Sequence, residues 1–318
     1  MKAVVLNKSC KANQMEIKEV EIPKIKDNWV LVKVKGFGLN HSEILLRQFE
    51  IDNDYIKKPI IPGIECVGII VDPANSHFKK GDKVIALMGG MGRSFNGSYC
   101  QYALLPVKNV FKIESNLSWE KLAAIPETFF TAYGSLFESM AIKENERVLN
   151  RGASSALGMA AIMLAKAKKC YVIASLRNKQ KIELLSRLGA DLVIEDTRVK
   201  ELDFKVDKVS ELIGCKTLKE SMGLVKKHGI VCHTGILGGQ YAFNHFDPIK
   251  DIPNGVYLSS FYSNFPTQQL IDEMFAFINE NKIEPVIGKV YDFNQIGEAH
   301  QNMEEHKVVG KSVVLIKD

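Results

Sequence analysis

The sequence predicts a two-domain α/β protein, and two observations carry that prediction. Up to about residue 117, short β-like runs alternate with polar turns without a long helix, which is typical of a small barrel-like β domain. From Glu146 onward, strand-like and helix-like runs alternate, which is typical of a doubly wound parallel sheet. A chain of 318 residues is long enough for two domains with separate cores.

The first domain is predicted from short apolar runs bounded by glycine, proline and polar residues. The run that begins at Trp29 alternates apolar and lysine side chains in its second half, as a strand with one buried face does. A helix is predicted to start at Asn40. Strands are predicted over residues 2–6, 15–22, 29–34 and 64–71, and a turn followed by a strand over 81–87 and 97–105.

Helical character begins at Ser118, a helix-capping residue with an acid, Glu120, in the first turn after it. The pattern continues to Leu136, with a break at Pro126. Further strands are predicted over 147–150, 170–175, 191–195, 207–213, 229–234, 256–261, 286–291 and 312–316. Helices are predicted near 156–168, 178–188, 216–227, 267–281 and 294–305.

Residues 146–175 have the order of a dinucleotide-binding unit: strand, small-residue turn, helix, strand. Small residues let the backbone approach a pyrophosphate, and the helix N-terminus directs free N–H groups at the anion. The pattern is imperfect, because Ser155 and Ala156 stand where glycines are expected. A tightly packed corner between a helix and a strand is the alternative interpretation. The predicted cofactor contacts are Gly152, Ser154, Ser155, Ala156 and Leu157.

The end of the second strand of this unit bears on the choice of nucleotide. An NAD-binding protein usually places an acid there to hold the ribose 2′-hydroxyl. The segment contains Ser175, Arg177 and Lys179 and no acid, a set that suits a 2′-phosphate. The sequence therefore predicts NADPH as the cofactor. A solvated basic loop at the start of a helix is the alternative.

Composition excludes several classes of protein. The net charge is +5, and lysines are spread without a dense basic block, so no nucleic-acid partner is expected. No apolar run is long enough to span a membrane, and the opening residues are not typical of a signal peptide. The six cysteines are far apart, which is typical of free thiols in a reducing compartment. We therefore expect a cytoplasmic protein.

Over nearly its whole length the chain resembles the medium-chain dehydrogenase/reductase superfamily. Seven short motifs carry the resemblance in the expected order: Gly38-Leu39-Asn40, Pro62-Gly63-Ile64-Glu65-Cys66-Val67-Gly68, Gly81-Asp82-Lys83-Val84, Gly97-Ser98-Tyr99, Thr131-Ala132-Tyr133, Gly152-Ala153-Ser154-Ser155-Ala156-Leu157-Gly158, and Gly310-Lys311-Ser312-Val313-Val314-Leu315. The resemblance implies a GroES-like catalytic domain, residues 1–117 completed by 264–318, and a Rossmann NADPH-binding domain, residues 118–263, with the active site in the cleft.

The resemblance also favours one branch of that superfamily. Zinc-using members carry a cysteine at the position of Asn40 and a histidine at the position of Ile64. A zinc ion with a catalytic role needs three protein ligands, and this sequence lacks them at the familiar place. The chain therefore resembles the zinc-free quinone oxidoreductases, and no metal is expected. It departs from many of them at Leu45, where they have a tyrosine.

By this resemblance, Asn40 and Thr131 line the nicotinamide pocket as the expected catalytic residues, and Gly235, Phe261 and Lys311 contact the cofactor. Asn40 is equally suited to cap the helix that follows it. Glu65 is expected to make a structural hydrogen bond or ion pair, with Arg47 as a candidate partner. For His41, an exposed helix start is favoured over a proton relay.

The expected activity is hydride transfer from NADPH to a quinone or an α,β-unsaturated carbonyl compound. Two alternatives remain open: a zinc-free alcohol or carbonyl dehydrogenase, and a protein that binds NADPH without turnover as a sensor or structural component. The apolar strand over 256–261 is a candidate for pairing between subunits, so a homodimer is expected.

Overall fold

The computed structural model describes residues 1–317 and divides the chain into two compact units. Unit 1 contains residues 1–127, 264–277 and 284–317. Unit 2 contains residues 128–263 and 278–283. The division therefore falls after residue 127, whereas the sequence suggested residue 117.

The strands, in chain order, are β1 (Lys2–Val4), β2 (Ile17–Glu19), β3 (Trp29–Gly38), β4 (Glu65–Asp72), β5 (Lys83–Leu87), β6 (Tyr102–Pro106), β7 (Val110–Lys112), β8 (Arg147–Arg151), β9 (Tyr171–Leu176), β10 (Leu192–Glu195), β11 (Val206–Glu211), β12 (Val225–His233), β13 (Tyr257–Ser260), β14 (Ile287–Asp292) and β15 (Lys311–Leu315).

The α-helices are α1 (His41–Gln48), α2 (Trp119–Ala123), α3 (Pro126–Tyr133), α4 (Ala156–Ala167), α5 (Ile182–Arg187), α6 (Cys215–Gly223), α7 (Pro248–Asp251), α8 (Gln268–Glu280) and α9 (Ile296–Glu304). Helix α3 continues into a π-helical segment, Gly134–Ser139. Short 3₁₀ turns cover Ala12–Gln14, Glu50–Asp52, Val107–Asn109, Lys179–Lys181, Asp196–Glu201 and Phe293–Gln295. Among residues 1–317, no helix combines the length and the apolar character that crossing a membrane requires.

Unit 1 is built on a mostly antiparallel sheet in the order β14-β15-β3-β4-β5-β7, with β6 also paired to β3. Only the β14–β15 pair of this sheet is parallel. The predicted alternation in β3 is confirmed, because Val30, Val32 and Val34 are buried in the core while the intervening residues are half-buried. Strand β7 was not predicted.

Unit 2 is built on a six-stranded, all-parallel sheet in the order β10-β9-β8-β11-β12-β13. This confirms the predicted doubly wound fold. The strands β8 and β9 are buried on both faces, with Leu149 and Ile173 in the core. Strand order reverses between β8 and β11, and ligands of such sheets bind beyond the carboxyl ends of the strands at that point.

Candidate functional site

The turn after β8 has the geometry of a phosphate-binding loop. Gly152 has a φ of 80°, which side chains other than glycine rarely adopt. The Ser155 hydroxyl accepts a hydrogen bond from Gly158 N at 3.0 Å and so caps helix α4. The Ala153 N–H donates to Ser175 O at 3.1 Å, which joins the turn to the end of β9.

Gly158 explains why the turn and the helix lie so close together. A Cβ at this position would lie 2.6 Å from the Ala153 Cα, so only glycine permits the contact. Asn150 reinforces it, because its Nδ2 donates to Gly158 O at 2.7 Å.

Backbone donors remain available in this turn. Across residues 1–317, no acceptor is hydrogen-bonded to the backbone N–H groups of Ser154, Ala156 and Leu157. Two of these groups open helix α4, where the helix dipole favours negative charge. The turn therefore fits the pyrophosphate of a dinucleotide, although serine and alanine replace the expected glycines.

An acid that the local sequence did not reveal lies at the end of β9. Asp196 follows β10, the neighbouring strand, and its Oδ1 accepts a hydrogen bond from the Ser175 hydroxyl at 2.6 Å. Ser175 is fully buried. Its hydroxyl is therefore already engaged, and Ser175 is a poor candidate for the predicted direct contact with a 2′-phosphate.

Asp196 is held by a buried arginine. Arg151, the last residue of β8, donates from Nε to Asp196 Oδ1 at 2.9 Å and from Nη2 to Oδ2 at 2.7 Å. Its Nη1 contacts the Ser221 hydroxyl at 3.1 Å and Glu220 Oε1 at 3.0 Å. Burial alone would lower the pKa of Arg151, but its hydrogen bonds and ion pairs with these acids, Asp196 first, raise it.

Of the cations that follow β9, some are paired with an acid within residues 1–317 and others are not. Lys179 forms an ion pair with Glu195 at 2.9 Å. Arg177 is exposed, and no hydrogen bond or ion pair joins it to another residue in the part of the chain that the structure describes. Lys181 is half-buried, equally unpaired there, and burial lowers its pKa. Arg177 and Lys181 are thus the available cations of this segment, and Lys181 was missed because no local pattern indicates that its side chain is half-buried.

Three further predicted residues lie in unit 2. Thr131 is buried in α3, and its carbonyl accepts a hydrogen bond from the Ser135 hydroxyl at 2.7 Å. Ser135 also contacts Thr234 at 2.9 Å, which brings this helix to the end of β12, next to Gly235.

Gly235 and Phe261 have identifiable packing roles. A Cβ on Gly235 would lie 2.4 Å from Leu212 O, so glycine lets the chain after β12 pass the end of β11. The Phe261 ring lies against Gly134, where a Cβ would approach the ring to 2.0 Å. Their predicted contacts with a cofactor stay predictions.

Unit 1 contains a second polar cluster, centred on Asn40. Its Nδ2 donates to Glu65 Oε1 at 2.8 Å, and its Oδ1 accepts from Lys311 Nζ at 2.6 Å. Lys311 is also ion-paired with Glu65 at 2.8 Å, and both charged side chains are buried. The backbone N–H of Glu127 donates to Glu65 Oε2 at 2.7 Å. Asn40 is therefore held rigidly by a buried ion pair.

A second buried acid, Glu43, contacts the backbone on either side of this cluster, at Asn40 and at Ile64. Its carboxylate accepts the backbone N–H of Asn40 at 2.9 Å and that of Ile64 at 3.1 Å. Burial, together with the nearby charge of Glu65, raises the pKa of Glu43 to about 7, although the hydrogen bond from Ile64 and the charge of Lys311 oppose the shift. Two buried carboxylates therefore lie near one ammonium group, and burial with this surplus charge favours a bound proton on Glu43.

The suggested pairing of Glu65 with Arg47 is wrong. Arg47 is buried and pairs with Glu304, and its Nη1 donates to Cys10 O. Its Nε also lies 3.4 Å from His300 Nδ1. The true partner of Glu65, Lys311, is distant in sequence and joins the cluster through the pairing of β15 with β3. His41 is exposed at the start of α1, as favoured.

This cluster does not fit a zinc ion. Ile64 offers no ligand atom, and the amide of Asn40 is already engaged by Glu65 and Lys311. The Lys311 ammonium is the cation of the cluster, and a second cation beside it would be repelled. Within residues 1–317, no group of three histidine, cysteine, aspartate or glutamate side chains is arranged to hold a metal.

Comparisons with known proteins identify the family of the chain. Residues 26–115 match the family described as alcohol dehydrogenase GroES-like domain, and residues 188–314 match the family described as zinc-binding dehydrogenase. The alcohol dehydrogenase of Geobacillus stearothermophilus is 30% identical over 352 aligned positions, which cover 100% of both chains. The chain belongs to the medium-chain dehydrogenase/reductase superfamily. This confirms the resemblance and the pairing of a GroES-like domain with a Rossmann domain.

The chain is also similar to proteins named quinone oxidoreductase. The quinone oxidoreductase of Homo sapiens is 28% identical over 313 residues, covering 94% of this chain and 92% of that protein. A solved NAD-dependent alcohol dehydrogenase is 25% identical, with a TM-score of 0.84 and full coverage of both chains. Mycobacterial Rv1454c, solved with NADPH, is 21% identical, with a TM-score of 0.84 and coverage of 99% and 100%. The protein is thus an oxidoreductase of this superfamily.

Proposed function

We propose that this protein transfers a hydride from NADPH to a quinone or an α,β-unsaturated carbonyl compound without a metal. The observation that carries the proposal is the turn after β8, where three backbone N–H groups remain available beside a helix N-terminus. The relatives named quinone oxidoreductase support the class of acceptor. The nicotinamide supplies the hydride, and the side chains of this chain bind and orient the reactants.

The cofactor is proposed to bind across the carboxyl edge of the unit 2 sheet. The N–H groups of Ser154, Ala156 and Leu157 would hold the pyrophosphate. Arg177 and Lys181 would pair with the 2′-phosphate, while Lys179 would contribute less because Glu195 already engages it. Thr131, Gly235, Phe261 and Lys311 remain proposed neighbours of the nicotinamide half of the cofactor.

Asn40 is proposed to orient the acceptor. One N–H of its amide is donated to Glu65, and residues 1–317 provide no acceptor for the other. That N–H is suited to a carbonyl oxygen on which negative charge develops, and the adjacent Lys311 ammonium favours the same charge. A quinone or enone already delocalises the incoming electrons, so oriented donors suffice. Protonation of the product from water is consistent with an apolar Leu45.

Steady-state oxidation of NADPH tests this proposal. With cyclohexenone and cyclohexanone as paired acceptors, we expect turnover of the enone to be at least tenfold faster, and to survive dialysis against a chelator. We expect Asn40→Ala to lower kcat by about 10- to 100-fold, with NADPH affinity unchanged. Asn53→Ala, at an exposed position, is the matched control.

Three outcomes would contradict parts of the proposal. Equal rates on the two acceptors would favour a carbonyl dehydrogenase. Tight NADPH binding without oxidation by a broad panel of quinones and enones would favour a sensor or structural protein. Loss of activity on chelation, restored by zinc, would overturn the metal-free chemistry.

We also propose a homodimer formed through β13. This strand is the edge of the unit 2 sheet, and Tyr257 on it is largely exposed. An edge strand presents unpaired backbone groups that a second copy can complete. Light scattering at micromolar concentration should give twice the chain mass, and Tyr257→Lys should shift it toward the monomer. A monomeric wild type would refute the dimer.

A further inference from the structure

An acid that follows another strand lies at the end of β9 in unit 2, although none is present there in the sequence of β9 itself. In a dinucleotide-binding βαβ unit, the residue at the end of the second strand contacts the adenosine ribose. That strand is β9, and its end carries no acid of its own. Because β10 runs parallel beside β9, the residue that follows β10 reaches the same edge of the sheet. Asp196 is that residue, and its carboxylate lies 2.6 Å from the Ser175 hydroxyl.

The Asp196 carboxylate has room for another hydrogen bond. An ionised carboxylate offers about four lone-pair sites. Ser175 and the Arg151 Nε occupy sites on Oδ1, and the Arg151 Nη2 occupies one on Oδ2. The side chain keeps 13% of its surface exposed, whereas Arg151 is buried. One acceptor site therefore remains, on Oδ2.

We infer that Asp196 is a specificity-determining residue of the adenosine-ribose site, accepting a hydrogen bond from the 2′-hydroxyl of NADH and opposing the 2′-phosphate of NADPH. This inference rests on the proposed dinucleotide site. The basic residues Arg177 and Lys181 favour NADPH, and Asp196 limits that preference, so the chain uses both nucleotides. Arg151 determines how strongly Asp196 acts, because its guanidinium offsets most of the negative charge of that carboxylate.

Titration of both nucleotides by fluorescence tests the inference. Asp196→Asn keeps an oxygen for Ser175 and Arg151, and Arg151 keeps Glu220 and Ser221 as partners. We expect this variant to bind NADPH about threefold more tightly and NADH about threefold more weakly, which changes the ratio of the two Kd values by about tenfold.

The matched control is Asp191→Asn. Asp191 immediately precedes β10, at its opposite end, and it also forms an ion pair, with Lys166 at 2.6 Å. Removing this charge should leave the ratio of the two Kd values unchanged. Should Asp196→Asn fail to fold by circular dichroism, Asp196→Ser removes the same charge and should shift the ratio in the same direction.

The outcomes separate this inference from the proposed function. If wild type binds neither nucleotide, the dinucleotide site itself is wrong. If both bind and Asp196→Asn shifts both Kd values equally, Asp196 is only structural and the inference is overturned. A tenfold change in the ratio for Asp196→Asn, with none for Asp191→Asn, supports it.

Discussion

Each unit buries a cluster of charges, and the two clusters are compensated differently. In unit 1, Lys311 is ion-paired with Glu65, and Glu43 lies near the same ammonium. In unit 2, Asp196 and Glu211 lie near the single guanidinium of Arg151. In each cluster the carboxylates outnumber the one buried cation, an arrangement that is costly unless something else stabilises the surplus charge.

The difference lies in the hydrogen-bond donors. Glu211 accepts four hydrogen bonds, from the backbone of Ile213 and Gly214 and from the hydroxyls of Thr217 and Ser221. Within residues 1–317, Glu43 accepts two hydrogen bonds, both from backbone N–H groups, and the pKa of Glu43 is raised to about 7. A buried carboxylate with few donors is thus stabilised by a proton, which makes the unit 1 cluster sensitive to pH near neutrality.

The largest effect should come from removing the cation of the unit 2 cluster. Arg151→Met leaves Asp196 and Glu220 without their buried partner, so we expect the free energy of unfolding to fall by about 3–5 kcal/mol. Urea denaturation measures the change. Arg187→Met, which removes an exposed ion pair with Glu183, should cost less than about 0.5 kcal/mol. Similar losses in the two variants would show that the buried network contributes no more to the free energy of unfolding than an exposed ion pair does.

The next effect concerns the proton on Glu43. Because the folded pKa of about 7 lies above the ordinary 4.5, the folded chain binds the proton more tightly than the unfolded chain. The stabilisation is complete below pH 4.5 and is lost as the pH rises to 7, with a total of about 3 kcal/mol. Relative to Glu43→Gln, the wild type should lose that amount across this range in urea denaturation. The control is Glu120→Gln, at an exposed position, whose free energy of unfolding should depend on pH as that of the wild type does. The same pH dependence in Glu43→Gln and wild type would refute the raised pKa of Glu43.

His300 should give a smaller effect of opposite sign. Burial, with the charge of Arg47 adding to it, lowers the pKa of His300 to about 3, below the ordinary 6.5. Below pH 6.5 this histidine binds a proton in the unfolded chain but not in the folded chain. The free energy of unfolding therefore decreases as the pH is lowered. Relative to His300→Gln, the wild type should lose about 2 kcal/mol between pH 6.5 and 5.

The matched control for that measurement is His245→Gln, at an exposed position. It should follow the wild-type stability curve over the same pH range. A His300→Gln curve that also follows wild type would show that burial and the charge of Arg47 do not hold this histidine neutral.

The smallest effect compares two cations after β9. Arg177→Ala should weaken NADPH binding about tenfold, the loss of one charge-assisted contact. Lys179→Ala should weaken it only about twofold, because Glu195 already engages that amine. Fluorescence titration measures both, and NADH affinity should change in neither variant. If Lys179→Ala weakened NADPH binding more than Arg177→Ala, then Lys179 and not Arg177 would be the stronger partner of the 2′-phosphate.

The fold was predictable because its signals are local. The alternation in β3 and the succession of strand, turn and helix from Glu146 onward are visible in the residues themselves. The site was predictable only where a single segment builds it, as in the turn from Gly152 to Gly158.

Contacts between distant segments were not predictable in the same way. Asp196 reaches Ser175 only because β10 pairs with β9, and Lys311 reaches Glu65 only because β15 pairs with β3. No periodicity encodes which strands become neighbours, so the interpretation of the end of β9 as free of acids was incomplete. The raised pKa of Glu43 likewise arises from burial, which its own sequence segment does not reveal.

Hydride transfer itself is most directly tested by isotope labelling. NADPH carrying deuterium at C4 of the nicotinamide, prepared separately as the two stereoisomers, is mixed with the protein and cyclohexenone in a single turnover. The account predicts one deuterium at the β-carbon of the cyclohexanone product, delivered from one stereoisomer only. Product without deuterium from either stereoisomer, or no oxidation of NADPH with this and other enones and quinones, would contradict it.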